Sequence, residues 1–408
     1  MKKNVIFVML IILATLFCSS CTKDEIVHMT DLKISTNNPK GIEDAIISNM
    51  KISLKNNTTG DIIKQDYLSG AAIKVEDGIY SVSIEGKITY NTKVVGKDLV
   101  KQTKTLKGIN ETVNVSGGLM SIVVDLFISA ESKGFVFSEI YFTGSKTPKG
   151  SQYSSDKFFE IYNNSDEILY ADGLSISETA FNSTLKHEFT PNIMGEYVVV
   201  DAIYTVPGSG KQYPINPGEV LLIADIAKNH KIDNPNSIDL SKADFEWFDN
   251  DRFGIDVDVP SVPNLIKTYS TSRSIWSLHN GGYKSYVLFR MDKEANAFLA
   301  ENKFNYYYNF VWTGGTIKMD ESNYKIKNSL VIDAVGMSAP SNFKWTVMDP
   351  SLDMSYTHSG DSNELRYGKS VSRKVSHTTS SGRIILMDTN NSSFDFNDTT
   401  ETTPGVVK

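Results

Sequence analysis

Apolar and polar positions alternate through much of the first third of this chain. Met50, Ile52 and Leu54 are separated by polar residues; Tyr80, Val82 and Ile84 repeat the pattern, and Val113, Val115, Ile122, Val124 and Leu126 continue it. A period of two puts successive side chains on opposite faces of an extended strand, so each run predicts a half-buried β-strand. Turn formers fill the gaps. Residues 56–61 read NNTTGD, and Asp77-Gly78 leads into the Tyr80 strand. From residue 134 the apolar runs lengthen. Residues 135–142 (FVFSEIYF) and 157–162 (KFFEIY) flank a Gly-, Ser-, Lys- and Pro-rich loop, and each run holds one Glu, Glu139 or Glu160. Val220-Leu221-Leu222-Ile223, Tyr286-Val287-Leu288-Phe289 and Val331-Ile332-Asp333-Ala334-Val335 predict further buried strands. The pattern predicts an all-β protein with two β-sandwich domains, 31–132 and 134–408.

The start of the chain reads differently. Lys2 and Lys3 precede an apolar run over residues 5–17, which has the length of a signal peptide and is short for a membrane span. Ser19 and Ser20 then precede Cys21. Small residues before a Cys at the end of an apolar run resemble a bacterial lipobox, with Cys18 standing where Leu is usual. That resemblance implies a signal peptide over 1–20 and lipidation of Cys21. Thr22-Lys23-Asp24-Glu25 resembles the Lys-acid-acid signal that sends Bacteroidetes lipoproteins to the cell exterior, so 21–30 is expected to be an acidic tether.

Composition narrows the classes. The chain has 2 Cys, Cys18 and Cys21, so beyond the anchor no disulfide or thiolate metal site is expected. The formal charge is −7, and loss of residues 1–20 would remove Lys2 and Lys3 and no acid. A mildly acidic chain without a basic block is a poor partner for nucleic acid.

Two stretches carry family resemblances. The Thr59-Gly60 turn, followed by Asp77-Gly78-Ile79-Tyr80-Ser81-Val82, resembles the transthyretin-like or carboxypeptidase-regulatory type of Ig-like module. That implies a spacing or contact role for the first domain. In the second, Glu139-Ile140, then Phe159-Glu160-Ile161-Tyr162-Asn163, then Pro217-Gly218-Glu219 follow in order. Ile332-Asp333-Ala334-Val335, Ser370-Val371-Ser372-Arg373, and Asp388, Asp395-Phe396 and Pro404-Gly405 close the series. This order resembles the lamin-tail domain, an Ig-like sandwich, expanded by insertions at 181–214, 230–271 and 293–327. The whole resembles an uncharacterised Bacteroidetes surface lipoprotein family whose members tend to be encoded beside TonB-dependent transporters.

Candidate sites fall in the insertions, because long loops concentrate binding residues. Residues 241–263 interleave six acids with Phe245, Trp247, Phe248 and Phe253 and read either as a contact surface or as a loop capping the sandwich. Asp249, Asp251 and Gly254 resemble part of a calcium loop. Phe253 and Pro260 stand where oxygen ligands are needed, so no metal is assigned. Residues 303–312 read KFNYYYNFVW, placing Phe304, Tyr306, Tyr308, Phe310 and Trp312 on one strand face, as core or as an aromatic platform. Asp388, Asn390, Asp395 and Asp398 have calcium-like spacing but also suit turns. Residues 207–212 (PGSGKQ) resemble a phosphate loop only superficially. Glu139 and Glu160, inside strands, read as structural hydrogen bonders. No His-Glu-x-x-His or Gly-x-Ser-x-Gly motif occurs.

The expected function is therefore non-catalytic and cofactor-free. It is that of an outer-membrane lipoprotein facing the exterior, which captures a nutrient ligand for a TonB-dependent barrel or docks onto one. Phe245, Trp247, Phe248, Phe253, Tyr306, Tyr308 and Trp312 are the candidate contacts. A glycan- or matrix-binding adhesin is the alternative, and a hydrolase lacks any nucleophile, metal or basic constellation to support it.

Overall fold

The computed structural model describes residues 27–39, 42, 44–92, 99–128, 134–250 and 254–407. Cys21, the signal-like segment and the acidic tether lie outside the described residues. The chain is mostly strand and forms two compact units. Among the described residues, one comprises 27–37, Lys51–Ile84 and Ile109–Asp125, and the other takes the remainder.

In the first unit the alternation predicted by the sequence is present strand by strand. Leu32 and Ile34, Ile52 and Leu54, Ile73 and Val75, and Tyr80, Val82 and Ile84 are buried, while their neighbours along each strand are mostly exposed. Met29–Asn37 pairs antiparallel with Ala72–Glu76 and parallel with Leu119–Ile128. The turn after Asn56 is built by its side chain, which accepts hydrogen bonds from the Thr58 and Thr59 amides at 2.9 and 3.1 Å. Gly60 closes it at φ +82, in the left-handed region that glycine enters without a Cβ clash.

The second unit holds two large sheets. One runs in the order Phe245–Glu246, Val220–Ala224, Phe158–Asn163, Phe135–Tyr141, Lys369–Arg373, Phe396–Glu401. The other runs Lys303–Trp312, Gly315–Lys327, Tyr197–Thr205, Leu174–Thr179, Tyr286–Arg290, Val331–Val335, with Ile266–Ser270 beside Tyr197–Thr205. Phe137, Phe159, Ile161 and Leu221 of the first sheet meet Ile176, Tyr204, Tyr286 and Leu288 of the second in one core. The second sheet is buried on its other face too. There Val199, Ile203, Val287 and Phe289 pack against Phe181, Phe298, Phe304 and Trp345. Cover on both faces accounts for the uniform burial of Leu174–Thr179, whose sequence LSISET still alternates between apolar and polar residues.

Asp333, Asp388 and Asp395 converge on Arg373, while Asp398 stays exposed. Arg373 donates to Asp333 (2.6 Å) and to the carbonyls of Phe137 (2.7 Å) and Met387 (3.0 Å), with Asp388 and Asp395 at 3.6 and 3.9 Å. One guanidinium faces three carboxyls, and burial raises Asp333 and Asp395 above the usual carboxylate range despite Arg373. Asp388 and Asp395 are therefore turned inward as structural partners of Arg373, and Asp395 also accepts from the Thr389 amide at 2.8 Å. Glu139 and Glu160 sit opposite each other on adjacent strands. They hold the end of the chain: Glu139 accepts from the Thr403 amide (3.2 Å) and the Ser370 hydroxyl, and Glu160 from the Gly405 amide (2.6 Å). Burial pushes Glu139 up to about 7, against the Ser370 hydrogen bond and with the help of Glu160's charge.

Candidate functional site

The strands Lys303–Trp312 and Gly315–Lys327 form a long antiparallel ribbon, in register from Lys303↔Tyr324 to Trp312↔Gly315. Aromatic and β-branched residues favour such pairing, and Thr313-Gly314 makes the two-residue turn. The base of the ribbon is tied to the sheet by Tyr197–Thr205, through pairs from Tyr197↔Lys327 to Val200↔Tyr324. A bridge between Thr190 and Tyr307 holds the outer strand, with amide–carbonyl bonds of 2.9 and 3.0 Å.

The single aromatic face read from the sequence therefore splits along its length. Phe304 and Tyr306 are buried at 6% and 8% exposure. Tyr308 is half-buried, whereas Phe310 and Trp312 are 40% and 52% exposed. Val311 and Ile317 are also exposed, so the outer end of the ribbon presents apolar side chains to solvent.

Beside the base lies a cleft of about 310 Å³, lined by Phe181, His187, Phe189, Met194, Tyr197, Phe304, Trp345 and Val347 among others. Its aromatic wall is mutually supporting. Phe181 stacks on Phe189 (centroids 3.9 Å, 16°), and Phe189 on Trp345 (5.7 Å, 27°). Phe189 meets Tyr306 and Tyr308 edge-on at 5.6 and 5.5 Å. Trp345 is fixed by its indole N–H, which donates to the Asn182 and Leu185 carbonyls at 2.9 and 3.2 Å. His187 stacks on Tyr308 at 4.3 Å and links the wall to Phe310 at 6.3 Å. Burial lowers the His187 pKa, so at neutral pH its ring is uncharged and serves as a stacking surface. This arrangement can bury an apolar or aromatic group. Among the described residues no group of three or more potential His, Cys, Asp or Glu ligands is placed to hold a metal ion.

The acidic aromatic loop is placed otherwise. Phe245 (1% exposed) and Trp247 (0%) are core residues, which takes them out of reach of a ligand and corrects their assignment as contacts. Trp247 packs between Phe159 and Trp276, at 5.5 and 5.4 Å. Glu246 and Asp249 are buried too, whereas Asp244 and Asp258 are exposed. Asp244 accepts from the Leu222 amide at 2.8 Å, and Glu246 from the Ala227 and Val259 amides at 2.8 and 2.6 Å. Asp249 takes the Tyr204 hydroxyl at 2.8 Å, the Trp276 amide at 2.6 Å and the Lys267 ammonium at 2.8 Å. Phe248 is half-buried, and Phe253 lies outside the described residues.

The phosphate-loop-like stretch is occupied from within. The Asp172 carboxylate accepts from the amides of Gly210 and Gln212 at 2.9 Å and of Tyr213 at 2.9 Å. Burial opposes its charge, yet the amides of Gln212, Tyr213 and Gly210 together hold Asp172 below the usual carboxylate range. A Cβ at Gly208 would overlap that carboxylate, which is why glycine stands there.

Sequence reasoning missed Phe181, His187, Phe189 and Trp345. The alternation of His187 and Phe189 in the stretch LKHEF was the one available signal, and nothing in the sequence places Trp345 beside them.

Fold and site thus define a class: an all-β protein with an aromatic cleft at the foot of a projecting ribbon. Residues 216–403 match the family model described as "Protein of unknown function (DUF4876)". Among solved structures, the chain is similar to a DUF4876 family protein from Bacteroides thetaiotaomicron VPI-5482. The TM-score is 0.58 and the identity 23%, over 93% of this chain and 95% of that one. At that identity the likeness speaks for the fold. No match is found among curated proteins.

Proposed function

We propose that this protein is a lipid-anchored outer-membrane protein facing the cell exterior, which captures a ligand for, or docks onto, a TonB-dependent transporter without catalysing a reaction. Cys21 is the proposed anchor. The two units are proposed to be Ig-like β-sandwiches, the first transthyretin-like and the second lamin-tail-like with insertions. The observation that carries the reading is the continuity of the aromatic cleft with the ribbon, whose exposed Phe310 and Trp312 extend the same strand face. Exposed apolar groups gathered at one place favour association. Stacked rings pre-order the wall and lower the entropy cost of binding.

The test is affinity purification of the tagged protein from its own membranes in mild detergents. An outer-membrane barrel co-purifying with it is the expected result, and recovery of none across detergents counts against the reading. The exposed indole of Trp312 also suits a glycan- or matrix-binding adhesin, since flat apolar ring faces stack on sugar rings. Retention of the protein on a glycan array without any barrel partner in the purification would favour that second reading.

A further inference from the structure

Cleft size, wall chemistry and one cation define a class of ligand, an assignment that rests on the ligand-capture reading above. The volume of about 310 Å³ lies at the lower end of small-molecule sites. One part of the wall is apolar and largely aromatic, formed by Phe181, Phe189, Phe304, Trp345 and Val347, while Lys186, His187, Glu188, Asn192 and Thr346 supply polar groups. On the strand Gly315–Lys327, Lys325 borders the cleft without being one of its lining residues: it stands opposite Val199, which does line it. Its ammonium lies 4.4 Å from the Tyr197 ring centroid and 6.0 Å from that of Phe304, and both rings line the cleft. Among the described residues Lys325 forms no ion pair with a carboxylate, and its side chain is only partly exposed. Ring faces attract a cation but do not neutralise it, so the charge remains available to an incoming anion. At the rim Lys186 has only a loose contact with Glu188, 4.0 Å away, whose side chain is 95% exposed and turned to solvent. The local balance therefore favours a negative group meeting Lys325 while an apolar body covers the rings.

We infer that the cleft binds a small amphipathic anion, an aromatic body carrying a single carboxylate, with Lys325 meeting the carboxylate and the Phe189–Trp345 wall covering the body.

The test uses the purified protein and three probes read by isothermal titration calorimetry: 2-naphthylacetate, the neutral 2-naphthylacetamide and maltoheptaose. The acid is expected to bind about tenfold or more tightly than the amide, because a charge-assisted contact in a partly desolvated site outweighs a neutral one. Lys325→Met should bring the acid down to the affinity of the amide, Lys325→Arg should keep the preference, and maltoheptaose should not compete. Equal binding of acid and amide by the unaltered protein overturns the inference without recourse to any variant. So does an acid preference that survives in Lys325→Met, or maltoheptaose binding where neither naphthyl probe does. Failure here, with a barrel still recovered from membranes, would remove the ligand class and leave the transporter reading standing. The reverse pattern would remove the partner and leave the ligand.

Discussion

The loop over residues 241–263 and the ribbon over 303–327 are both aromatic-rich insertions, yet the molecule uses them in opposite ways. The loop is drawn into the core. Asp244, Glu246 and Asp249 accept from backbone amides and from Tyr204, and this lets Trp247 sit between Phe159 and Trp276. The ribbon pairs with itself, so its backbone is satisfied without a covering layer, and its outer side chains stay in solvent. Acids beside aromatics marked a segment that supplies its own hydrogen-bond acceptors for burial. Unbroken strand alternation marked a segment free to project. Aromatic content alone did not separate the two.

The largest expected effect lies in the loop. Trp247→Ala should lower stability by about 3–5 kcal/mol, the usual loss for a large buried side chain and its cavity. Trp312→Ala should change it by less than about 0.5 kcal/mol, as for other surface positions. Urea denaturation of both variants makes the comparison, and similar losses in the two would erase the distinction. Next, Asp249→Ala should cost about 2–3 kcal/mol, because the Trp276 amide and Tyr204 hydroxyl lose a buried acceptor. Within the ribbon, Tyr306→Ala should destabilise by roughly 2–3 kcal/mol. Phe310→Ala, four residues further out, should leave the melting curve nearly unchanged. A ribbon that responded uniformly from base to tip would contradict the split in its face.

A smaller effect is expected in the pH dependence of stability. Burial raises Asp244 and Glu246 in the loop above their usual values, and Glu139 to about 7. Below about pH 4.5 folded and unfolded chains both hold the Glu139 proton. Between there and pH 7 only the folded chain holds it, so stability falls as pH rises, and above 7 the loss is complete. Denaturation midpoints should therefore decline from pH 5 to 8. Glu139→Gln should flatten that decline by roughly 2 kcal/mol. An equal slope in the variant would show that Glu139 ionises normally in the folded protein.

The strand content was legible because alternation is local: Tyr80, Val82 and Ile84 announce their face within five residues. The spacing of Asp333, Arg373, Asp388 and Asp395 was legible as a pattern, although its physical meaning, three carboxyls around one buried guanidinium, appears only once the strands are assembled. The cleft was not legible. Phe189 and Trp345 lie far apart in the chain and meet only because the second sheet buries both of its faces. Nor could the sequence tell the base of the ribbon from its tip, since Phe304 and Trp312 obey the same alternation. What separates them is that Tyr197–Thr205 pairs with the base alone.

The most direct measurement of the central claim, that the ribbon and cleft form the contact surface, is a membrane pull-down comparing three proteins. The unaltered protein and Phe248→Ala, a change in the loop, should recover the same outer-membrane barrel. The Phe310→Ser/Trp312→Ser pair should recover at least about tenfold less while melting at the same temperature, because losing central aromatic contacts costs 1.4 kcal/mol or more. Equal recovery by all three, or a loss confined to Phe248→Ala, would contradict the account.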